Sequence, residues 1–365
     1  MQASQEEALR VLGEAFGDRL KGGAVQGGEK PFDGPLASVY PKNAEEVELL
    51  AKVTTRYSIA LLAQGAGTGP AATPQPGSIL VRFDLMRGLQ IRGSEELWIR
   101  AEPGTSLLEL DNNLRARGWG LAVYPTSAPR ATVGGWLALD GLGVGSFEYG
   151  WLSENVLSAD VVLPGGERRT LRGEELSSHA QAGGAAGIVV GATLRTRRAE
   201  KDVPFGIAFD NLEDLARTIT SIQAANVPLW HLAFVNPTMS RARGLGKDYL
   251  LFGAYSDKQA AYATEGLRGA YGPRGGRMLP RADAYRVWGE RFFPVAPSHS
   301  TPTPERKLIC LTELVEALGS TQDRPEENAV QGTVSRSGEV LLLTFDARDE
   351  GWVQDYRDIQ HERGM

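Results

Sequence analysis

The sequence is poor in the residues that build disulfides and metal sites. Cys310 is the single cysteine in 365 residues, which excludes an intrachain disulfide and CxxC metal sites. The four histidines, His179, His231, His299 and His361, lie far apart along the chain, so a local HxxxH zinc motif is also absent. The sequence therefore predicts no metal site.

Long apolar runs and basic runs are missing as well. The chain has 39 Lys and Arg residues against 45 Asp and Glu, a formal net charge of −6, which argues against nucleic acid or an anionic membrane surface as a partner. No apolar run approaches the length of a membrane span. The charged, amphipathic start, residues 1–17, lacks the apolar centre of a signal peptide. We therefore predict a cytoplasmic protein without a transmembrane segment.

Glycine, in contrast, is abundant. The 44 glycines concentrate around residues 65–69, 134–145 and 183–191. Clustered glycine marks backbone that approaches another group closely or adopts positive φ. Tight turns alone are one interpretation, but three clusters within one half of the chain favour loops that hold a ligand.

The hydrophobic pattern indicates helices and strands in alternation, and this pattern changes near residue 200. A helix over 210–225 has leucine and isoleucine at helical spacing, and strands are predicted on either side of it, as in a βαβ unit. We divide the chain into an N-terminal helix and loop (1–32), a first domain (33–199) and a second domain (200–365). The fold class predicted is α+β.

The first glycine cluster follows a predicted buried strand, 58–63, and raises the possibility of a dinucleotide loop. The third glycine of GxGxxG would fall on Pro70, and a strand follows the loop where that fold requires a helix. The pattern therefore disfavours a dinucleotide fold. A glycine loop between strands can still bind a pyrophosphate through consecutive backbone N–H groups, and an ordinary hairpin loop is the alternative.

Six short motifs then follow one another in a characteristic order. They are Pro41–Val47 with the first glycine loop, Glu102–Leu107, Pro125–Ser127 with Ala131–Gly135, Tyr149–Gly150 with Glu154–Val156, Asp160–Gly166, and Gly184–Val189. Together they resemble the PCMH-type FAD-binding domain of the vanillyl-alcohol-oxidase superfamily, over about residues 33–197. The resemblance implies a two-subdomain FAD-binding domain over 33–199, followed by an α/β cap domain over 200–365 that carries the substrate side.

The resemblance also assigns residues to the cofactor. Those implied to bind FAD are Gly65, Ala66, Gly67, Thr68, Gly69, Thr126, Ser127, Thr132, Gly134, Gly135, Gly141, Gly187 and Ile188. Members with a histidine-linked flavin often carry that histidine in the first loop, where this chain has Thr68, so the resemblance implies noncovalent FAD. The chain departs from the pattern at Gln64, where arginine is common, and at Ala66, where glycine is usual.

The second half is less informative about chemistry. The metal-ligand motif and the C-terminal signature of 2-hydroxy-acid dehydrogenases in this superfamily are both missing. Residues 285–294 resemble a segment of the FAD-binding subunit of bacterial glycolate oxidase, in which Arg291 would bind a substrate carboxylate. His231, in a predicted strand, is the candidate base. An amphipathic helix with solvated arginines and a structural histidine are the corresponding alternatives.

Two functional classes follow from these observations. The first is an FAD-linked enzyme that oxidises a small 2-hydroxy acid, such as glycolate or lactate, by hydride transfer to flavin. The second is an FAD-carrying electron-transfer or assembly subunit that acts only with partner subunits of a dehydrogenase complex. A relic of the fold that binds no flavin is disfavoured by the intact segment 132–135.

Overall fold

The structure is a computed structural model. It describes residues 2–22, 35–67, 76–93, 97–182, 184–292, 304–319 and 327–348. Thr68 and Gly69, both assigned to the cofactor from the sequence, lie outside these ranges. Of the helices that the structure describes, none is both long enough and apolar enough to cross a membrane.

The chain forms two compact units, and each is built from several stretches. The first comprises Met1–Ala116, Pro129–Asp140 and Val156–Arg197, and the second Arg117–Ala128, Gly141–Asn155 and Arg198–Met365. The boundaries at 32/33 and 199/200 remain predictions.

The helices along the described chain are α1 (Gln2–Phe16), α2 (Ala44–Arg56), α3 (Leu107–Arg115), α4 (Val133–Leu137), α5 (Ser146–Tyr149), α6 (Gly173–Gln181), α7 (Leu212–Ala224), α8 (Pro237–Ala242), α9 (Ala260–Tyr271), α10 (Arg281–Gly289) and α11 (Leu314–Gly319). The strands are β1 (Leu20–Gly22), β2 (Ala37–Val39), β3 (Leu61–Gln64), β4 (Ile79–Arg82), β5 (Leu89–Arg92), β6 (Trp98–Ala101), β7 (Trp119–Leu121), β8 (Val156–Val162), β9 (Arg168–Leu171), β10 (Ile188–Arg198), β11 (Asp202–Phe209), β12 (His231–Val235), β13 (Tyr249–Ser256), β14 (Arg277–Met278), β15 (Glu305–Cys310), β16 (Asn328–Val334) and β17 (Glu339–Asp346).

Asparagine side chains cap the first turns of two helices, and Asn43 is the cap that the sequence predicts. Asn43 accepts a hydrogen bond from the backbone N–H of Glu46 at 3.0 Å and begins α2. Asn211 accepts one from Asp214 at 2.9 Å and begins α7. Each cap satisfies a backbone donor that the first helical turn leaves without a partner.

The first unit contains two sheets. The order of one is β1-β2-β4-β3, in which β2 and β3 run parallel to β4. The other runs β5-β6-β10-β8-β9 with antiparallel neighbours. Apolar side chains of α1, α2 and the first sheet, among them Leu12, Leu50 and Val81, pack into one core.

Two expectations about the first glycine loop are wrong. The strand before it begins at Leu61, not at residue 58, and it is half-exposed because β3 lies at the edge of its sheet. The hairpin interpretation also fails. Because Leu61 pairs with Ile79 in a parallel register, the segment between β3 and β4 is a crossover connection, which two parallel neighbours require.

The second unit is built on a seven-stranded sheet of order β14-β11-β13-β12-β16-β17-β15. Neighbouring strands pair antiparallel throughout. Since β13 lies between β11 and β12 and opposes both, those two strands run parallel, with α7 connecting them. The predicted βαβ arrangement is therefore present in its split form, and the α+β class is confirmed.

The two faces of this sheet differ in chemistry. Leu232 and Phe234 of β12 pack into an apolar core with α7, α9 and α11. Side chains of alternate residues point to opposite faces, so Ala233 and His231 lie on the other face. That face is buried too, and it also carries Gln331, which has no exposed surface.

Candidate functional site

The first glycine loop packs against the segment that starts α4. A Cβ atom at Gly65 would lie 2.6 Å from Oγ1 of Thr132 and 3.3 Å from Cα of Gly135. Gly67 has a φ of +69°, a left-handed conformation that favours glycine. Thr132 itself is the N-cap of α4 and accepts a hydrogen bond from Gly135 N at 3.4 Å. The structure thus brings together three residues that the sequence assigned to the cofactor.

The second and third sequence motifs also lie side by side. Leu107 N donates to the carbonyl of Ala131 at 3.1 Å, and Val133 N donates to that of Thr105 at 3.0 Å. A Cβ atom at Gly134 would lie 2.6 Å from Cβ of Pro103. The close approach of Pro103 therefore requires glycine at position 134. The same absence of a side chain would also let a ligand approach the backbone there.

The last motif lies where β10 begins beside β8. Gly187 has a φ of +147°, and a Cβ atom there would lie 2.8 Å from the carbonyl oxygen of Val162. Ile188 pairs with Val162, and its side chain belongs to the apolar core of the first unit. A cofactor could therefore meet these two residues only through their backbone, and Gly187 N already donates to the carbonyl of Gly184 at 3.4 Å.

The remaining cofactor candidates belong to the second unit. Thr126 and Ser127 are buried in a turn closed by a 3.0 Å hydrogen bond from Ala128 N to Pro125 O. Gly141, with a φ of +141°, accepts a hydrogen bond from Leu152 N at 3.2 Å.

Hydrogen bonds within the Tyr149–Val156 motif hold its loop together. Nδ2 of Asn155 donates to the carbonyls of Tyr149 and Trp151 at 2.7 and 2.8 Å. Glu154 accepts from Trp151 N at 2.8 Å. The asparagine and the acidic residue are therefore needed to hold this loop's own conformation.

The guanidinium of Arg291 lies between two aromatic rings just after α10. Its central carbon is 4.5 Å from the ring centre of Trp288 and 4.2 Å from that of Phe292. Nη1 donates to the carbonyl of Trp288 at 2.9 Å. The buried Nε has no hydrogen-bond partner among the described residues. Arg291 is half-buried, whereas Arg286 of α10 is exposed to solvent.

His231 lies against the same indole. Its ring centre is 5.7 Å from that of Trp288 and 6.4 Å from that of Phe252. The side chain is fully buried, and within the part of the chain that the structure describes neither ring nitrogen has a hydrogen-bond partner. Burial, and second the positive charge of Arg291, lower the pKa of His231 to about 3. The imidazole is therefore neutral at neutral pH.

Further aromatic rings extend this arrangement. Trp230 lies edge-on to Trp288 and to Tyr124, with ring centres 6.0 Å apart in both pairs. Tyr124 in turn contacts Phe292 at 6.1 Å. An anion bound at Arg291 in these surroundings would have few competing water molecules, which strengthens a charge-assisted hydrogen bond.

Comparison with known proteins shows which family the first half of the chain resembles. Residues 35–172 match the family described as FAD binding domain. Over these residues the chain is similar to FAD-binding domains. The match begins just before β2 and includes the first glycine loop and the Thr132–Gly135 segment, so the resemblance inferred from the ordered motifs is confirmed.

Curated relatives of the FAD-binding domain are named as oxidoreductases. A probable mitochondrial D-lactate dehydrogenase of Danio rerio is 26% identical over 223 residues, which is 57% of this chain and 44% of that protein. Glycolate oxidase subunit GlcD of Bacillus subtilis is 22% identical over 218 residues, 56% of this chain and 46% of that protein. The chain thus spans less than half the length of these relatives.

A solved structure extends the likeness in fold to almost the whole chain. The 4-ethylphenol oxidase from Gulosibacter chungangensis, in complex with isoeugenol, superposes with a TM-score of 0.76 at 16% identity. The alignment covers 99% of this chain and 87% of that one. At this identity the likeness establishes the fold alone.

The described residues fit an FAD pyrophosphate at the first glycine loop. Ala66 and Gly67 are exposed, and their backbone N–H groups have no acceptor among the described residues. Successive N–H groups ending in a left-handed residue form a concave site for an anion. Gly65, closely packed on Thr132, fixes the start of that loop.

Sequence reasoning missed the residue that unites the second site. Trp288 lies within the arginine-bearing segment, where its spacing was compatible with an ordinary core aromatic. Its contact with His231, 57 positions away in the sequence, depends on how α10 packs on the sheet, and no local pattern in the sequence reports it.

Proposed function

We propose that this chain is an FAD-dependent oxidoreductase that oxidises a small 2-hydroxy acid, with Arg291 binding the substrate carboxylate and His231 accepting the hydroxyl proton. The observation that carries the proposal is the packing of both residues on Trp288, with unused hydrogen-bonding atoms on each among the described residues. The names of the relatives support the substrate class. The assigned cofactor residues and noncovalent binding of FAD belong to the same proposal.

The cation in this proposal is held before substrate arrives. Stacking on two rings restricts the guanidinium of Arg291, and a planar fork with free donors suits a carboxylate better than an ammonium does. A pre-positioned cation lowers the entropy lost when substrate binds.

The proton acceptor is coupled to the cation. In the free protein the charge of Arg291 contributes to the low pKa of His231. A substrate carboxylate paired with Arg291 would offset that charge and raise the pKa of His231 from about 3, making the imidazole a better base. FAD, held through the first glycine loop, would supply the redox chemistry as the hydride acceptor.

The test is a dye-reduction screen of the FAD-loaded protein with glycolate, lactate and neutral polyols of matched size. We expect turnover of an acid and none of the polyols. Turnover of a polyol but of no acid would overturn the proposal. FAD binding without any turnover, followed by activity once co-purified partner chains are added, would favour the electron-transfer or assembly subunit. A cytoplasmic location remains a prediction from the sequence.

A further inference from the structure

Two buried side chains bind the backbone that carries Arg291. Nη1 of Arg243 donates to the carbonyl of Glu290 at 2.6 Å, and Nη2 of Arg243 donates to Oε1 of Gln331 at 2.7 Å. Nε2 of Gln331 donates to the carbonyl of Arg291 at 3.1 Å. The carbonyls of residues 290 and 291, which follow the end of α10, thus both accept a hydrogen bond from a side chain of another element.

Chemistry fixes the orientation of the Gln331 amide. Arginine has donors and no acceptor, so the amide atom that faces Arg243 must be the oxygen. The amide nitrogen must then face the carbonyl of Arg291. Because Gln331 has no exposed surface and Arg243 is 7% exposed, water cannot readily replace either bond, and a missing partner would leave a buried group unsatisfied.

Burying a charged guanidinium costs free energy, so packing alone does not explain the position of Arg243. Burial lowers its pKa to about 10, although the charge of Glu290 acts in the opposite direction, so the guanidinium stays charged at neutral pH. A cation near the C-terminal end of a helix is electrostatically favourable. Two of its hydrogen bonds lead to the backbone of residue 290 and, through Gln331, to that of residue 291.

We propose that the Arg243–Gln331 pair positions Arg291, by holding the backbone of residues 290–291 so that the guanidinium stays between Trp288 and Phe292. The effect of this positioning on carboxylate binding rests on the proposed function. The restraint on the backbone of residues 290–291 does not depend on that function, so the two effects are tested separately.

The sharpest variant is Gln331→Glu. A carboxylate keeps the acceptor for Arg243 but has no N–H for the carbonyl of Arg291, so it removes one bond at nearly constant shape. The matched control is Gln223→Glu. Gln223, on α7, also donates its amide to a backbone carbonyl, that of Ser335 at 2.9 Å, but within the described part of the chain it makes no hydrogen bond to residues 288–292. If Gln331→Glu does not fold, Arg243→Lys, which has no planar fork to serve two acceptors, replaces it.

The first measurement is amide hydrogen exchange of the FAD-loaded protein over residues 288–292. Gln331→Glu should accelerate exchange there about tenfold, the effect of losing one buried hydrogen bond, and Gln223→Glu should leave it unchanged. Equal exchange in Gln331→Glu and the parent protein would overturn the proposal. This measurement needs no substrate.

The second measurement is the affinity for oxalate, a dicarboxylate that cannot be oxidised as a hydroxy acid, by calorimetry. Gln331→Glu should weaken binding about tenfold in the parent protein and have no further effect in Arg291→Met, because a positioning residue acts only through its target. Additive effects would overturn the positioning role. If the parent protein binds neither oxalate nor any 2-hydroxy acid, the proposed function fails, and hydrogen exchange alone decides whether the pair holds residues 290–291.

Discussion

Arg291 and His231 pack on the same indole, that of Trp288, although they come from different elements of the second unit. One residue is a permanent cation and the other is neutral at neutral pH because of its burial and of that cation. Both were singled out in the sequence for different reasons, the first from a resembling segment and the second as a histidine within a strand. Because both side chains contact Trp288 and the charge of Arg291 lowers the pKa of His231, a change at one residue should affect the other.

Replacing Arg291 by lysine should weaken binding of the acid without preventing folding. Lysine keeps the charge but loses the planar fork and its stacking between two rings. We expect KM for the acid to rise by about tenfold to a hundredfold, the range for one charge-assisted hydrogen bond. Steady-state kinetics with the FAD-loaded protein measures this. The control is Arg286→Lys, on the exposed side of α10, where KM should not change; an unchanged KM in Arg291→Lys would remove that residue from the site.

His231 should make the protein sensitive to mild acid. In the unfolded chain it binds a proton as the pH falls through its ordinary pKa of 6.5, whereas in the folded protein the pKa is about 3. The unfolded state therefore binds more protons between these values, so the contribution to stability is complete above pH 6.5 and is lost as the pH falls toward 3. From pH 7 to pH 5 the loss is about 2 kcal/mol.

Urea unfolding at those two pH values measures this loss, in the parent protein and in His231→Gln. The variant should lose about 2 kcal/mol less than the parent between the two values. Any packing defect in the variant lowers the free energy of unfolding equally at both pH values. The difference between the two pH values within each protein is therefore free of that defect. An identical decrease in the two proteins would show that His231 titrates in the folded state as it does in the unfolded one.

A methyl group at Gly65 should damage the FAD site. The added Cβ would lie 2.6 Å from Oγ1 of Thr132 and 3.3 Å from Cα of Gly135, so the loop has to move. We expect Gly65→Ala to destabilise the protein by about 1–3 kcal/mol and to weaken FAD binding. The control is Gly269→Ala on α9, where nothing lies within 4 Å of the added Cβ. Normal FAD affinity in Gly65→Ala would mean that the cofactor does not depend on this loop.

Free FAD should raise the melting temperature of the apoprotein. A ligand that binds only the folded state stabilises it by mass action, by about 2.7 kcal/mol at a hundredfold excess over Kd. Thermal unfolding with increasing FAD measures the shift. Riboflavin, which lacks the pyrophosphate, is the control and should shift the transition much less. No shift with FAD would contradict binding at the first glycine loop.

The flavin should be released by acid. This expectation rests on Thr68, a residue outside the described ranges, at a position where histidine-linked members carry their histidine. After precipitation with acid, the visible absorbance of the flavin should be in the supernatant. Colour that stays with the pellet would indicate a covalent bond at another residue.

The local features of the first half could be predicted from the sequence because they are local in origin. Asn43 as a cap of α2 follows from its own side chain and the two glutamates after it. The ordered glycine motifs were sufficient to recognise the FAD-binding domain. The direction of β4 relative to β3 was not predictable, because a glycine-rich connection fits a hairpin and a crossover equally well.

The second site was predictable only as separate residues. Arg291 and His231 were nominated, but Trp288, Arg243 and Gln331 were not, since what brings them together is the packing of α8 and α10 on a sheet whose strand order differs from the sequence order. Gln331 lies opposite Val235 in the register of that sheet. Such pairings are set by long-range packing, and single-sequence patterns carry no signal for them.

The division of the chain into two units also restricts how such a protein can change during evolution. The polypeptide passes from one unit to the other five times before its last long stretch. A gene fragment that ends at any of the first four points encodes neither unit completely, and one that ends at the last point, after Arg197, encodes the first unit together with two stretches of the second. New specificity in such a chain is therefore expected from point substitutions and loop insertions within the second unit, and exchange of a whole unit by a single recombination event is not available to it.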